Sequence, residues 1–349
     1  MNLARLSSVN RHLAKLLLFT LTFLFINLPH QSAISVDTPI PNDTLVPQSK
    51  TAIGGDGKTL TINFMGDVHN ERPVDLESLK NLTTFLSNAD LNIVNLETAI
   101  TSYSKKEIKK YNFKTSPIFL DYLSSIGVNL VNIANNHSYD YGLPGFLDTL
   151  KALDKKGISY VGGGLNLKSA SDGLVIEVKG LKLGFLGLAK VNGGPNSIAT
   201  DSKPGVLNGY DLKSSVSAIK KLKAKSDILI ILTHWGEENT FCPRPSEINS
   251  AKLWFDSGAD IIVGGHSHTI QPVVLKNNKL VAYSLGNFIF YSSDVKNRET
   301  GILSITISSD KKIEYTFKPF LINQKTKVPT PQKDLSTPSS TKHILESSC

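Results

Sequence analysis

From Leu60 onward, short apolar runs alternate with stretches whose apolar residues recur at helical spacing. The runs at 60–65, 91–95, 129–133, 158–161, 227–233 and 260–263 read as strands. The stretches near 75–88, 117–126, 144–156, 211–224 and 245–258 read as the helices between them. Such alternation predicts βαβ units around a central sheet. Runs with β character at 174–179, 181–188, 272–276, 279–288, 301–308 and 312–322 add antiparallel strands to the second half, with Lys276-Asn277-Asn278-Lys279 as a hairpin candidate. Four of the apolar runs lead into a turn that carries histidine: Gly66-Asp67-Val68-His69, Ala134-Asn135-Asn136-His137, Thr233-His234-Trp235-Gly236 and Gly264-Gly265-His266-Ser267-His268. Five of the eight histidines therefore sit at strand ends. In open α/β sheets that edge is where ligands bind, and imidazole is the commonest side-chain metal ligand near neutral pH.

The flanks break the rhythm. Residues 1–33 read as a signal peptide or N-terminal anchor: Arg5, Arg11 and Lys15 precede an apolar run from Leu16 to Leu28 that is short for a bilayer span. Gln31-Ser32-Ala33 is a poor cleavage site, so removal and retention stay open. Either way the body is expected to be exported, periplasmic or at the cell surface, or anchored in the membrane. Residues 34–58 are rich in Pro, Thr, Ser and Gly and read as a linker; 59–323 form the folded domain; 324–349, polar and with three prolines, read as a disordered tail.

Composition adds little beyond this. The net charge of +8 shrinks once the basic N-terminus and the tail are set aside, which argues against nucleic acid as a partner. The two cysteines, Cys242 and Cys349, are expected to stay unpaired because Cys349 ends a polar tail. Without a cysteine cluster, a metal would be held by N and O ligands.

Asp67 and His69 offer a hard oxygen and a borderline nitrogen, a mixture that suits Mn, Fe or Zn better than Ca. Glu97 follows Ile93-Val94-Asn95-Leu96 at a strand end, where a carboxylate can bridge two cations. Asn136 supplies a neutral oxygen, and His234, His266 and His268 supply imidazoles. Together Asp67, His69, Glu97, Asn136, His234, His266 and His268 suffice for two divalent metal ions, which can stabilise both oxygens of an in-line displacement. His137 is left free as a proton donor, and Arg72 is a candidate for holding an anionic group bidentately. Glu237 and Glu238, beside His234, either accept hydrogen bonds from the ligands or are solvated.

In order and spacing these phrases resemble the calcineurin-like metallophosphoesterases. They are most similar to one branch, the poly-γ-glutamate capsule-synthesis (CapA-type) proteins. The likeness runs over about residues 60–292. It rests on Gly66-Asp67-Val68-His69 with Arg72, Val94-Asn95-Leu96-Glu97, Ala134-Asn135-Asn136-His137 with Asp140 and Gly142, His234-Trp235-Gly236, Gly265-His266-Ser267-His268 with Gln271, and Ser284-Leu285-Gly286-Asn287-Phe288. Glu97 stands where the phosphoesterases carry the Asp of a Gly-Asp phrase, and Ser138 where an acidic residue follows Asn-His. His69, often replaced in the capsule branch, is present.

The resemblance implies an α/β, metallophosphoesterase-like two-sheet sandwich flanked by helices (αββα) with mixed sheets. It also implies export and a part in making, moving or anchoring an acidic capsule polymer, with a membrane-bound polymer synthase complex as partner. Three functions compete: a capsule-branch hydrolase, a non-catalytic accessory protein of polymer assembly, and a general extracytoplasmic phosphoesterase acting on a phosphate-containing substrate. The ligand set favours the enzymes; the long phrases favour the capsule roles.

Overall fold

The computed structural model of the protein describes residues 50–53, 59–70, 74–334 and 349. Alternation along the strands sorts their side chains into layers. In Ile228–His234, the residues Ile228, Ile230 and Leu232 enter one core, and Leu229 and Ile231 enter another. The neighbouring strand Ile261–Gly265 repeats this with Ile261 and Val263 against Ile262. Successive side chains leave opposite faces, so a strand apolar at every position must be covered on both.

Two mixed sheets result. One runs in the order Lys50–Ile53, Leu174–Val178, Leu181–Ala189, Ile228–His234, Ile261–Gly265, Lys279–Ala282, Val273–Lys276. The other runs Pro329–Pro331, Ile313–Ile322, Glu299–Ser308, Thr59–Val68, Leu91–Leu96, Leu130–Asn132, Ser159–Val161, with Asn287–Ile289 paired to the end of Thr59–Val68. Leu60, Ile62 and Phe64 of the second sheet and Leu183, Phe185 and Ile230 of the first share the core between them. Helices Leu76–Leu86, Ile118–Ser125 and Gly142–Lys156 cover the outer face of the second sheet through Leu79, Phe119 and Phe146. Leu212–Lys223 and Pro245–Asp256 cover the first through Ile219 and Trp254. This is the αββα sandwich that the resemblance implies, with two sheets where the periodicity alone predicts one central sheet.

The centre of each sheet is parallel. Leu181–Ala189, Ile228–His234, Ile261–Gly265 and Lys279–Ala282 run together, as do Thr59–Val68, Leu91–Leu96, Leu130–Asn132 and Ser159–Val161. The turns bearing the chemistry therefore leave the same edge of their sheets.

Three expectations need correction. Lys50–Ile53, within the segment read as linker, pairs with Leu174–Val178 as an edge strand. Pro329–Pro331, within the segment read as disordered tail, pairs with Ile313–Ile322. Proline lacks the ladder donor, but an edge strand needs one side of its hydrogen bonds only. Cys242 and Cys349 form a disulfide with their Cα atoms 5.7 Å apart. Position at the end of a polar tail does not bar pairing, because loop-closure entropy grows slowly with length. The expected signal or anchor at 1–33 and residues 335–348 of the tail lie outside the described residues. Among the described residues, no helix is long and apolar enough to cross a membrane.

Candidate metal centre

Asp67 is the penultimate residue of the strand Thr59–Val68 and is fully buried. The close approach of two backbones holds it there. The Asp67 N–H donates to Gly286 O at 2.9 Å, and a Cβ on Gly66 would lie 1.9 Å from that same oxygen. Glu97, just past Leu91–Leu96, is also fully buried. From the other sheet come His234, at the end of Ile228–His234, and His266 and His268, just past Ile261–Gly265. His266 and His268 have φ of 92° and 57°, a left-handed backbone that non-glycine residues adopt at a cost of about 1–3 kcal/mol and that clusters at functional sites.

These side chains converge in two groups. Glu97, His234 and His266 have ligand atoms within 4.8 Å of one another, and so do Asp67, Glu97 and His268. Glu97 belongs to both. Asn136 joins the first: its Oδ1 lies 2.8 Å from His234 Nε2, which is 3.2 Å from Glu97 Oε1. The donor set fits a cation. Both carboxylate oxygens of Glu97 and Nδ1 of His266 are buried without a hydrogen-bond partner. A buried ionised carboxylate with no donor is strongly disfavoured unless a positive charge faces it.

The electrostatics describe the same crowding. Burial, and then the Glu97 charge, push the Asp67 carboxyl up to about 6. Burial also raises Glu97, but His268, His234 and His137 outweigh it and hold that carboxyl well below its usual range. Burial and the neighbouring imidazoles lower His266 to about 2. His268 is partly buried, yet the Glu97 and Asp67 carboxylates outweigh the effect of burial and raise it.

A chain of amides supports the ligands, and sequence reasoning gave it no role. Asn132 and Asn135 donate through Nδ2 to Asn95 Oδ1, at 2.9 and 3.2 Å. That fixes the Asn95 amide, whose Nδ2 donates to Asp67 Oδ1 at 2.8 Å and faces His234 Nδ1 at 3.2 Å. Asn287 Oδ1 lies 2.8 Å from His268 Nδ1, so the neutral ring donates there and keeps its Nε2 lone pair free. The signal was present in the sequence: Asn95 and Asn132 interrupt apolar strands that are buried on both faces.

His137 is oriented by Asp140, whose Oδ2 is 2.6 Å from Nδ1; its Nε2 is 3.9 Å from Glu97 Oε1. Asp140 is fully buried, pairs with Lys109 and accepts the Phe113 N–H at 2.5 Å. Lys109 also donates to Asn136 O at 2.8 Å. His69 is placed differently from the other expected ligands and joins neither group. Its ring stacks on Phe113, centroids 3.9 Å apart, and Phe113 stacks on His137 at 4.0 Å. Burial lowers His69 to about 3, and its Nδ1 has no partner. Arg72 lies outside the described residues. Glu237 and Glu238 are exposed; Glu237 pairs with Arg244 at 3.7 Å. In front of the centre lies a cavity of about 570 Å³, lined by His69, His137, His268, Phe113, Tyr111 and Tyr291 among others.

Comparison with known proteins places this geometry. The family model described as bacterial capsule synthesis protein PGA_cap matches residues 61–292. The PGA biosynthesis protein CapA of Bacillus subtilis is 30% identical over 232 residues, covering 66% of this chain and 60% of the relative. The capsule biosynthesis protein CapA of Bacillus anthracis is 30% identical over 265 residues, 71% of this chain and 64% of the relative. A probable polyglutamine synthesis accessory protein of Mycobacterium tuberculosis is 29% identical over 210 residues, 57% of this chain and 55% of the relative. The chain thus spans less than two thirds of the length of these relatives. Among solved structures, TT1561 of Thermus thermophilus superposes with a TM-score of 0.43 at 12% identity, over 74% of this chain and 99% of that one, too loosely to carry an argument. The family match runs from the strand bearing Asp67 to the loop beyond Asn287 and so takes in every residue of the two ligand groups: this chain belongs to the bacterial capsule synthesis protein family, PGA_cap.

Proposed function

We propose that this protein acts outside the cytoplasm in the synthesis, export or anchoring of an acidic, poly-γ-glutamate-like capsule polymer, through a hydrolase-like site for two divalent cations. The observation that carries the reading is the sharing of the buried Glu97 between two ligand groups, with neither of its oxygens hydrogen-bonded. One cation would take Glu97, His234, His266 and the Asn136 oxygen, and the other Asp67, Glu97 and His268. Manganese, iron or zinc suits such mixed N and O donors. Bound cations would supply Lewis acidity to a substrate oxygen.

The chain's own groups do the rest. Asp140 holds His137 through Nδ1, so Nε2 faces the centre and delivers a proton to the leaving group. Arg72, expected beside Asp67, remains the candidate for holding an anionic group. The names of the relatives support the polymer and an association with a synthesis complex, a membrane-bound polymer synthase in this reading. The basic and apolar pattern of residues 1–33 supports the location. A purely accessory role, with the site serving structure alone, accounts less well for a buried carboxylate whose oxygens have no hydrogen-bond partner.

The test combines elemental analysis with turnover on phosphodiesters and γ-glutamyl peptides. The full chain should carry close to two equivalents of transition metal, and Glu97→Gln should lose both. His137→Ala should keep the metal and lose turnover by about 10²–10⁴-fold, the range for a general acid. A metal-free chain that shows no thermal shift with manganese or zinc would overturn the reading.

A further inference from the structure

Between Ala99–Ile100 and Lys114–Thr115 the chain makes a long loop that supplies none of the grouped ligands. Its root is fixed to the site: Lys109 pairs with Asp140, the Glu107 N–H donates to Asp140 O at 2.8 Å, and the Phe113 ring lies between His69 and His137. Much of the rest faces solvent. Residues 102–108 are all exposed, as are Lys110 and Tyr111. Ile108, between the anchored Glu107 and Lys109, is fully exposed, and Tyr103 and Tyr111, before and after it in the chain, are exposed as well. Exposed Lys105, Lys106 and Lys110 flank it in sequence, and Lys110 lies 4.9 Å from the centroid of the Tyr111 ring. Glu107 is the one acidic residue of the stretch.

Water favours the lysines but not a bare isoleucine between two tyrosines. A soluble polyanion would engage the lysines and leave Ile108 where it is. The surface of an anionic bilayer satisfies all of them, because headgroup phosphates face the ammonium groups while aliphatic and aromatic side chains enter the boundary with the acyl chains. The geometry points to the exposed face of this loop, from Tyr103 to Tyr111, as a docking surface for an anionic phospholipid bilayer. Tyr111 and Phe113 also line the cavity, so docking brings the mouth of the cavity to the bilayer surface. The inference stands apart from the metal centre and holds whether or not cations bind there.

The test is made on the full chain carrying Ile108→Trp. The two native tryptophans, Trp235 and Trp254, are 1% and 0% exposed, so a change on adding vesicles reports the loop. Vesicles of phosphatidylglycerol and phosphatidylcholine should shift the new emission to the blue, and pure phosphatidylcholine should not. Adding Lys105→Ser, Lys106→Ser and Lys110→Ser should weaken the response by about 10²-fold, at about fivefold for each lysine near the surface. Attachment through residues 1–33 would not imitate this, since the signal comes from position 108. No shift with anionic vesicles, an equal shift with neutral ones, or a shift produced by soluble polyglutamate alone would overturn the inference. Metal content, measured on the same variant, separates its failure from a failure of the proposed function.

Discussion

The site depends on single residues whose chemistry has few substitutes. A Cβ on Gly265 would lie 2.6 Å from Asp67 Oδ1. Gly265→Ala should therefore displace that carboxylate, cost about 1–3 kcal/mol as overpacking does, and reduce metal content at the Asp67 group; denaturant titration and elemental analysis check both. The imidazoles set a pH dependence. His69 and His266 have folded-state pKa values near 3 and 2, below the ordinary imidazole value, so acid protonates them in the unfolded chain first. The stability they contribute is present above about pH 6.5 and is lost as pH falls. Asp67, raised to about 6, and His268, also raised, act in the opposite sense, because the folded state holds their protons. Between about pH 4.5 and 6 the unfolded chain binds protons at His69, His266 and His268, and the folded state at Asp67 and His268. One net proton remains on the unfolded side. With a chelator present, unfolding free energy should fall on acidification by about 1.4 kcal/mol per pH unit, and His69→Gln should flatten the line. An unchanged slope in that variant would assign the titration elsewhere. At this scale the sequence was legible where residue type and position agreed, as for Asp67, Glu97 and the histidines at strand ends. It did not disclose the place of His69, because Phe113, which stacks on it, comes from an aperiodic loop far along the chain.

Elements were legible where a period repeats. The helices and the parallel strands lie where the apolar pattern puts them. The turn Asn277-Asn278 joins Val273–Lys276 to Lys279–Ala282, with φ of 52° and 58° at its two residues, the left-handed pair that such hairpins need. Asn278 does more than turn: its Nδ2 donates to Lys311 O at 2.9 Å, and its Oδ1 accepts the Ile313 N–H at 2.8 Å. Asn277 has the conformational task alone. Asn277→Gly should leave the unfolding midpoint nearly unchanged, and Asn277→Val should cost about 1–2 kcal/mol, the penalty for a β-branched residue in that region. Equal midpoints for the two variants would show that this turn relaxes. Lys50–Ile53 and Pro329–Pro331 escaped notice because three or four residues hold no period and prolines mimic a linker. What makes them strands is an exposed ladder on a neighbour, which belongs to tertiary structure.

For the whole molecule, the decisive fact is that neither sheet owns the site. Asp67, Glu97 and Asn136 come from one sheet, and His234, His266 and His268 from the other. The alternation that assigns each strand two cores was readable in advance; which strand ends would meet across the sandwich was not, nor was the closure of the chain by Cys242 and Cys349 over a separation of 107 residues. A cation held across that seam, as proposed, would act as a rivet. Its binding energy would be released only while the two halves stay in register, so any opening that slides one past the other would first have to give it up. Saturating manganese or zinc should slow amide hydrogen exchange in Thr59–Val68 and Leu91–Leu96 together with Ile228–His234 and Ile261–Gly265, by the same factor and deep into strands that touch no ligand. Protection confined to one of the two sheets would mean that the halves open independently, and that the ions decorate the seam without fastening it.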